Sequence, residues 1–363
     1  CCLLSLGPAV AGGTEVDGLA SQASDRDKFK SAVKELRTGV GPRYQSLRRE
    51  LDHYPLAVYL DALVIEGNLH YGKPEDVIAF LQSAGTSPIA MRTLRSFVRH
   101  KIEDRRWRAV VEVTEGLRLS TELICHRAHA LLMTGETAKA TPLLNRVWTV
   151  GKSQIKACDP VFKTWYRKSG PSDDVVWERA LKAADARNST LLRYLKRFAS
   201  AELKPSLDDL GEIYGRPDRV TRKTRGSLPR QRDIAHMGVK RLAKVNPKRA
   251  LDAMQALSTR FEFDATQQTV MNSLIVRHSL FAKSAAPLDW VTSRLAELRD
   301  DELTEIYLRS TIAEADWSSF REGYKWLSAS RQTSDEWRYW RVMAAAPGEA
   351  KRSEAELNAL AAG

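Results

Sequence analysis

Two histidines three residues apart, His126 and His129, are the side chains with the clearest chemical potential in this 363-residue chain. On a helix, that spacing places both imidazoles on one face, where neutral ring nitrogens can bind a transition metal. No Asp or Glu is adjacent to supply a third ligand. We therefore expect no metal here and interpret the pair as partly exposed side chains of a helical repeat.

Two cysteines, Cys125 and Cys158, form the next candidate pair, and they are 33 residues apart. That separation is about one helical-hairpin repeat, so equivalent positions of stacked neighbours can approach each other. In an oxidising compartment the pair is expected to form a disulfide. In a cytosolic protein two unpaired buried thiols would be the alternative. In the first case Cys158 holds the start of a helix in place and is not a nucleophile.

Acidic clusters are the remaining candidates, at Asp173-Asp174 and at Asp300-Asp301-Glu302. Both stand at predicted helix starts, where negative charge stabilises exposed backbone N–H groups. The chain has no Gly-rich phosphate loop and no Gly-x-Ser-x-Gly motif. We therefore predict helix capping for the acids, and no catalytic, cofactor-binding or metal-binding residue.

The elements that position these side chains are predicted to be helices throughout. Apolar residues recur at helical spacing, and short turns are expected at Thr134-Gly135, Asn188-Ser189, Asn246-Pro247, Asp316 and Pro347-Gly348. Units of this size bury their apolar faces only by stacking on neighbours. The predicted fold class is therefore all-α, a curved, solenoid-like superhelical array of helical hairpins.

Charge is distributed unevenly along the chain. The net charge is +12, and residues 216–249 carry twelve basic and two acidic residues, or +10 of that total. Such a stretch attracts an anionic partner or is simply a well-solvated surface. It overlaps an irregular segment near 203–233 with three prolines and three glycines, which we expect to join two halves of the array.

The N-terminus, CCLLSLGPAVAGG, indicates the end of a secretory signal peptide. A short apolar run precedes Ala9-Val10-Ala11, a small-x-small pattern that favours cleavage after Ala11. Residues 1–11 are then a signal remnant and residues 12–363 the α-superhelical domain. This interpretation predicts export to the periplasm, and it leaves open whether Cys1 or Cys2 belongs to a lipoprotein signal. No apolar run approaches the roughly 20 residues of a membrane span.

Three stretches of the sequence resemble motifs of one known protein family. HYPLAVYLDAL, residues 53–63, is similar to a Tyr-Pro-Leu…Tyr-Leu helix, and DEWRYWRVMA, residues 335–344, is similar to an Asp-Glu-Trp-Arg-Tyr-Trp hairpin. The third is GKSQIKACDPVFKTWYRKSG, whose matching positions are Gly151, Lys152, Ser153, Gln154, Ala157, Cys158, Asp159, Phe162, Trp165, Ser169 and Gly170. In order and spacing, from about residue 50 to 350, the three stretches resemble the motifs of the bacterial soluble lytic transglycosylases.

The resemblance implies a superhelical region of helical hairpins in which two cysteines, matching Cys125 and Cys158, are paired. It also implies a lysozyme-like C-terminal domain that cleaves murein between N-acetylmuramic acid and N-acetylglucosamine, with one Glu as acid and then base. That Glu belongs to a Glu-Ser motif, and these 363 residues contain no Glu-Ser dipeptide. We therefore expect the catalytic domain to be absent from this chain, and the chain alone to be inactive.

The predicted function is the noncatalytic superhelical region of a peptidoglycan lytic transglycosylase in cell-wall turnover. Its expected partners are murein strands and the catalytic domain of a longer parent chain, with no cofactor. The alternatives are a stand-alone protein-interaction scaffold in the periplasm and a nucleic-acid binder. The export signal and the cysteine pair argue against nucleic acid. Candidate murein contacts are Arg216, Arg219, Arg222, Lys223 and Arg225, because murein carries free carboxylates.

Overall fold

The computed structural model describes residues 13–222, 224–283 and 285–345. Over these residues the chain forms twenty α-helices and two 3-10 helices and contains no strand. The predicted all-α class is confirmed. The chain divides into two compact units, of which the first runs to Trp148 and adds Gln154–Gly170, and the second comprises Thr149–Ser153 and the residues from Pro171.

The first unit consists of nine α-helices and a 3-10 helix at Lys156–Cys158. The α-helices are α1 (Gly13–Glu35), α2 (Pro42–Glu50), α3 (Ala57–Gly67), α4 (Pro74–Ala84), α5 (Pro88–Glu103), α6 (Trp107–Val113), α7 (Thr121–Met133), α8 (Thr137–Trp148) and α9 (Asp159–Lys168). Each packs on a helix one or two places away along the chain, as expected for stacked hairpins; α7, for example, contacts α5, α6, α8 and α9.

The second unit contains eleven α-helices and a 3-10 helix at Pro217–Arg219. The α-helices are α10 (Asp173–Asp185), α11 (Ser189–Leu195), α12 (Lys204–Gly215), α13 (Leu228–Ala243), α14 (Pro247–Ser258), α15 (Ala265–Ser279), α16 (Leu288–Leu298), α17 (Asp301–Ala313), α18 (Trp317–Tyr324), α19 (Ala329–Gln332) and α20 (Asp335–Met343). The same pattern of neighbour packing recurs, with α13 against α12, α14 and α15.

Short polar turns separate the helices where the sequence predicts them. The side chains of Asn188, Asn246 and Asp316 each accept a hydrogen bond from the backbone N–H three residues later, at 2.9–3.1 Å. Such caps satisfy N–H groups that a helix start leaves without a partner. Gly135 has φ 87°, a left-handed conformation that glycine adopts without strain. The predicted turn at Pro347-Gly348 lies outside the described residues.

The acidic clusters act at helix starts, as expected. Asp300 caps α17 by accepting a hydrogen bond from Leu303 N at 3.1 Å. Asp301 and Asp173, each in a first helical turn, accept hydrogen bonds from the backbone N–H groups of Ser328 and Ser200 at 2.7 and 3.0 Å. These carboxylates are therefore occupied in holding neighbouring turns together.

The segment near 203–233 is more regular than the sequence suggests. Helix α12 occupies Lys204–Gly215 and buries Leu207, Leu210 and Ile213. The irregular part is limited to residues 216–227, which we call the basic loop. Proline at the second position of α12 does not disturb it, because the first N–H groups of a helix have no intrahelical acceptor.

Candidate functional site

We call the segment from Gly151 to Gly170 the cysteine segment. It begins with a short non-helical stretch that packs against α10. The carbonyl oxygens of Val150 and Lys152 accept hydrogen bonds from the Arg179 guanidinium, both at 3.3 Å. Gly151 approaches so closely that a Cβ there would lie 2.3 Å from the backbone oxygen of Lys182. Only glycine fits this contact without a backbone shift.

The middle of the cysteine segment carries the disulfide. Cys125, in the second turn of α7, is bonded to Cys158, which ends the 3-10 helix Lys156–Cys158 and precedes α9. Both side chains are buried. The bond fixes the entry of α9 against α7, and neither sulfur is available as a nucleophile or a metal ligand.

The end of the cysteine segment is aromatic core. Trp165 is buried and lies edge-on to Trp148, with ring centroids 5.9 Å apart. Trp148 Nε1 donates a hydrogen bond to Tyr166 Oη at 2.7 Å, and Lys168 Nζ donates one to the carbonyl of Leu132 at 2.7 Å. The aromatic and basic residues at this end are thus used for packing and backbone contacts.

The basic loop holds the predicted murein contacts. Arg216 and Arg222 are exposed, and neither side chain makes a hydrogen bond or ion pair with a described residue. Arg219 is paired with Glu212, Nη1 to Oε1 at 2.7 Å. Lys223 lies outside the described residues.

Arg225 is also paired, and more completely. Asp209 Oδ1 accepts hydrogen bonds from Arg225 Nε and Nη2 at 3.0 and 2.6 Å, and Oδ2 accepts one from Arg225 N at 2.5 Å. The Asp209 side chain is only 10% exposed, so this bond anchors the loop to α12. Among the described residues, the four arginines of the predicted set therefore divide into two that are paired, Arg219 and Arg225, and two that are not.

Two further basic residues of the stretch 216–249 have acidic partners elsewhere in the second unit. Lys240 Nζ lies 2.6 Å from Asp185, and Arg230 lies 3.6 Å from Asp174 and 4.0 Å from Glu202. The net charge of a linear stretch thus overstates the free charge of the folded surface.

The two histidines on α7, His126 and His129, contact different partners. His126 Nε2 lies 3.8 Å from Glu122 Oε1, so a carboxylate one turn earlier does stand beside the pair, contrary to expectation. His129 Nε2 instead lies 3.3 Å from Thr164 Oγ1. Burial lowers the pKa of both imidazoles, which favours their neutral forms. Glu122 is also engaged by Arg99 at 2.6 Å.

A second histidine cluster has no signal in the local sequence. His70, in the connection between α3 and α4, meets His100 and Asp104 at the C-terminal end of α5. Thirty residues separate the two histidines, and only the stacking of successive hairpins brings them together. Among the described residues this is the one group of three or more potential metal ligands.

A cavity of about 570 Å³ lies between α2, α3 and α4. Its charged wall is a bidentate pair, in which Arg48 Nε and Nη2 each donate to Asp61 at 2.7 Å. Asp61 and Asp52 raise the pKa of Arg48, while burial raises the pKa of Tyr44 in the same wall. The charges of Arg48 and Asp61 in this wall therefore neutralise each other.

Over the described residues, these observations define an all-α array of helical hairpins with one disulfide. Among the described residues, no helix is long and apolar enough to cross a membrane. The comparisons with known proteins agree with this class.

The chain is 26% identical to the soluble lytic murein transglycosylase of Escherichia coli over 353 residues, and to that of Salmonella typhimurium over 298. These matches cover 94% and 80% of the chain but only 52% and 46% of the relatives. The motif resemblance is confirmed: the chain is similar to soluble lytic murein transglycosylases over most of its length. It spans about half the length of these relatives.

Solved structures show the same fold. The 70-kDa soluble lytic transglycosylase of Escherichia coli superposes with a TM-score of 0.64 at 21% identity, covering 94% of this chain and 55% of that one. An inactive mutant of the lytic transglycosylase Slt from Pseudomonas aeruginosa superposes with a TM-score of 0.58 at 22% identity, covering 87% and 52%. A family model described as cucumovirus coat protein matches residues 135–224, less than half of the chain, and does not define its family.

Proposed function

We propose that this chain is the noncatalytic superhelical region of a peptidoglycan lytic transglycosylase and positions murein strands for cleavage between N-acetylmuramic acid and N-acetylglucosamine by a separate catalytic domain. The observation that carries the proposal is homology over 94% of the chain to an enzyme named for its action on murein. The missing Glu-Ser dipeptide supports a positioning role rather than a cutting role.

The proposed location is the periplasm. The buried Cys125–Cys158 disulfide supports it, because disulfides persist in oxidising compartments such as the bacterial periplasm. The expected signal remnant at residues 1–11 lies outside the described residues. A protein made with its own export signal should lack that segment when recovered from the periplasm, and mass spectrometry of the intact protein would measure this.

Murein contact is assigned within this proposal to the basic loop, at Arg216 and Arg222 first. Their guanidinium groups are exposed and free to meet carboxylates of the peptide stems. Arg219 and Arg225 are already bonded to Glu212 and Asp209, so they would have to give up those partners. Lys223 stays in the predicted set without a structural assignment.

The test uses the purified full chain and isolated murein sacculi. We expect the protein to sediment with sacculi, more strongly at low than at high salt, and to release no 1,6-anhydromuramoyl products detectable by mass spectrometry. Loss of sedimentation at every salt concentration would contradict the positioning role. Release of anhydro products by the chain alone would contradict the noncatalytic assignment. A basic protein of unrelated fold and similar net charge is the control for nonspecific adhesion.

The comparisons with known proteins do not favour the alternative of a stand-alone scaffold.

A further inference from the structure

The His70, His100 and Asp104 side chains form a compact set of nitrogen and oxygen donors in the first unit. The ligand atoms of all three lie within 4.8 Å of one another. His70 Nδ1 is 3.3 Å and His100 Nε2 is 3.4 Å from the same oxygen, Oδ2 of Asp104. We propose that these three residues bind a zinc ion.

The distances are those of a tetrahedral site. Two ligands each about 2.1 Å from zinc, at the tetrahedral angle, lie about 3.4 Å apart. The two histidine-to-aspartate distances match this edge length without any movement. The ligand nitrogens of the two imidazoles lie within 4.8 Å of each other, and His70, whose side chain is 62% exposed and lies in a connection, can adjust to the tetrahedral distance.

The hydrogen bonding also indicates a missing partner. His100 Nε2 is buried and makes no hydrogen bond, although it faces the Asp104 carboxylate at 3.4 Å. Buried polar atoms in proteins are rarely left unsatisfied, and each exception requires a cause. A metal between the imidazole and the carboxylate would satisfy His100 Nε2 and both neighbours together.

Helix α5 and the connection between α3 and α4 position the three proposed zinc ligands close to one another. His100 and Asp104 are one helical turn apart on α5, so they project from the same face. Lys101, also on α5, donates a hydrogen bond from Nζ to the His70 carbonyl at 3.0 Å and ties the connection to the helix. The Lys101 charge lies close to the set and lowers its affinity for a cation. We therefore expect weaker binding than in an all-cysteine structural site.

The types of ligand atom indicate which class of metal ion the site would bind. Two imidazoles and one carboxylate suit zinc and similar transition metals, whereas Mg²⁺ requires oxygen ligands in octahedral geometry. Three protein ligands leave a fourth position for water. In this location the ion would fix the connection between α3 and α4 to the end of α5, and thereby stabilise the first unit.

The test is calorimetric titration of ZnCl₂ into the tag-free, metal-stripped full chain. We expect one zinc per chain, no response to MgCl₂, and a rise in unfolding temperature with zinc. His70→Ala and His100→Ala should each weaken zinc binding at least about tenfold, as loss of metal-site support does. The double variant His126→Ala/His129→Ala is the matched control, and it should bind zinc like the unchanged protein.

Two results would overturn the proposal: no zinc binding by the unchanged chain, or equal binding by the His70→Ala variant. His70 is the most exposed of the three side chains, so its removal should preserve the fold, which circular dichroism checks. X-ray absorption of the zinc-loaded protein provides a measurement independent of any variant. It should show nitrogen and oxygen ligands with two imidazoles, and a shell of six oxygens would also refute the site.

Discussion

The cysteine segment and the basic loop both stand out in the sequence, but the structure uses them in opposite ways. Residues 151–170 place Cys158 and Trp165 in the core, and Gly151 fits against α10 where a side chain would collide. The basic loop, residues 216–227, leaves Arg216 and Arg222 exposed and without ion pairs to described residues.

The difference follows from the chemistry of the side chains. Cysteine, tryptophan and glycine in a motif indicate contacts that only one shape satisfies, so the residues are fixed by packing. Arginine and lysine carry long, strongly hydrated side chains that stay at the surface unless an acid approaches. A sequence motif in the first region therefore indicates contacts in the core, whereas a charge run in the second identifies basic residues without showing which of them have ion-pair partners.

Removing the disulfide should have the largest effect on stability. The double variant Cys125→Ala/Cys158→Ala should lower the free energy of unfolding by about 3–4 kcal/mol, because the bond closes a loop of 33 residues in the unfolded chain. Urea denaturation followed by circular dichroism measures the change. The unchanged protein with reductant present is the matched control, and it should lose a comparable amount. A loss below about 1 kcal/mol would mean that the bond contributes little to the fold.

Gly151 provides the next test of the cysteine segment. Gly151→Ala forces a Cβ against the backbone oxygen of Lys182, and we expect a cost of about 1–3 kcal/mol from the forced shift. Gly211→Ala is the matched control on α12, where a Cβ would meet nothing within 4 Å. That substitution should stabilise the protein by about 0.5–1 kcal/mol, since alanine favours helix. Equal effects of the two variants would contradict the close approach.

We expect acid to lower the stability of the protein through protonation of His236, which lies on α13 within the basic stretch. Burial, and then the charge of Lys240, lower the pKa of His236 to about 4, against the weaker opposing influence of Asp185 and Asp264. Because the unfolded chain binds this proton near pH 6.5, the stabilising contribution is complete above that pH and is lost as the pH falls toward 4.

The expected loss from His236 is about 1–2 kcal/mol, after a discount for its partial exposure. Denaturation midpoints between pH 7 and pH 4 measure it. His236→Leu should flatten the pH dependence in this range. If the His236→Leu variant loses as much stability between pH 7 and pH 4 as the unchanged protein, other groups cause the acid sensitivity.

The all-α fold was predictable because hairpin turns carry local signals. Asn188, Asn246 and Asp316 cap helices with their own side chains, so the sequence near each turn is sufficient. The His70–His100–Asp104 cluster was not predictable, because its members meet only through the register of stacked hairpins. The sequence signal that could have revealed the cluster is the spacing of His70 and His100, which are about one repeat apart.

The candidate murein contacts were only partly predictable, because the partners of these basic residues lie elsewhere in the chain. Composition identifies Arg216 through Arg225 as basic, but the acids that neutralise Arg219 and Arg225 stand on α12, seven and sixteen residues earlier. Helix α12 itself was not expected to be regular. The number of free charges on a surface therefore depends on the folded arrangement of neighbouring helices, and cannot be counted along the chain.

The smallest expected effect tests whether the free charges matter more than the paired ones. Arg216→Gln/Arg222→Gln removes two unpaired guanidinium groups, and should lower retention on sacculi by about two- to fivefold at low salt, as expected for exposed contacts of 0–1 kcal/mol each. Arg219→Gln/Arg225→Gln removes the same formal charge from residues already bonded to Glu212 and Asp209. That second variant should change retention less.

Both variants should converge at high salt, because exposed charges are screened beyond about 3 Å at 1 M ionic strength. Sedimentation with sacculi across a salt series measures retention, and circular dichroism confirms that each variant is folded. The comparison is informative because the two variants have equal net charge and differ only in whether the removed groups had partners. Equal losses would show that net charge alone governs adhesion, and no loss in either would remove the basic loop from the murein contact.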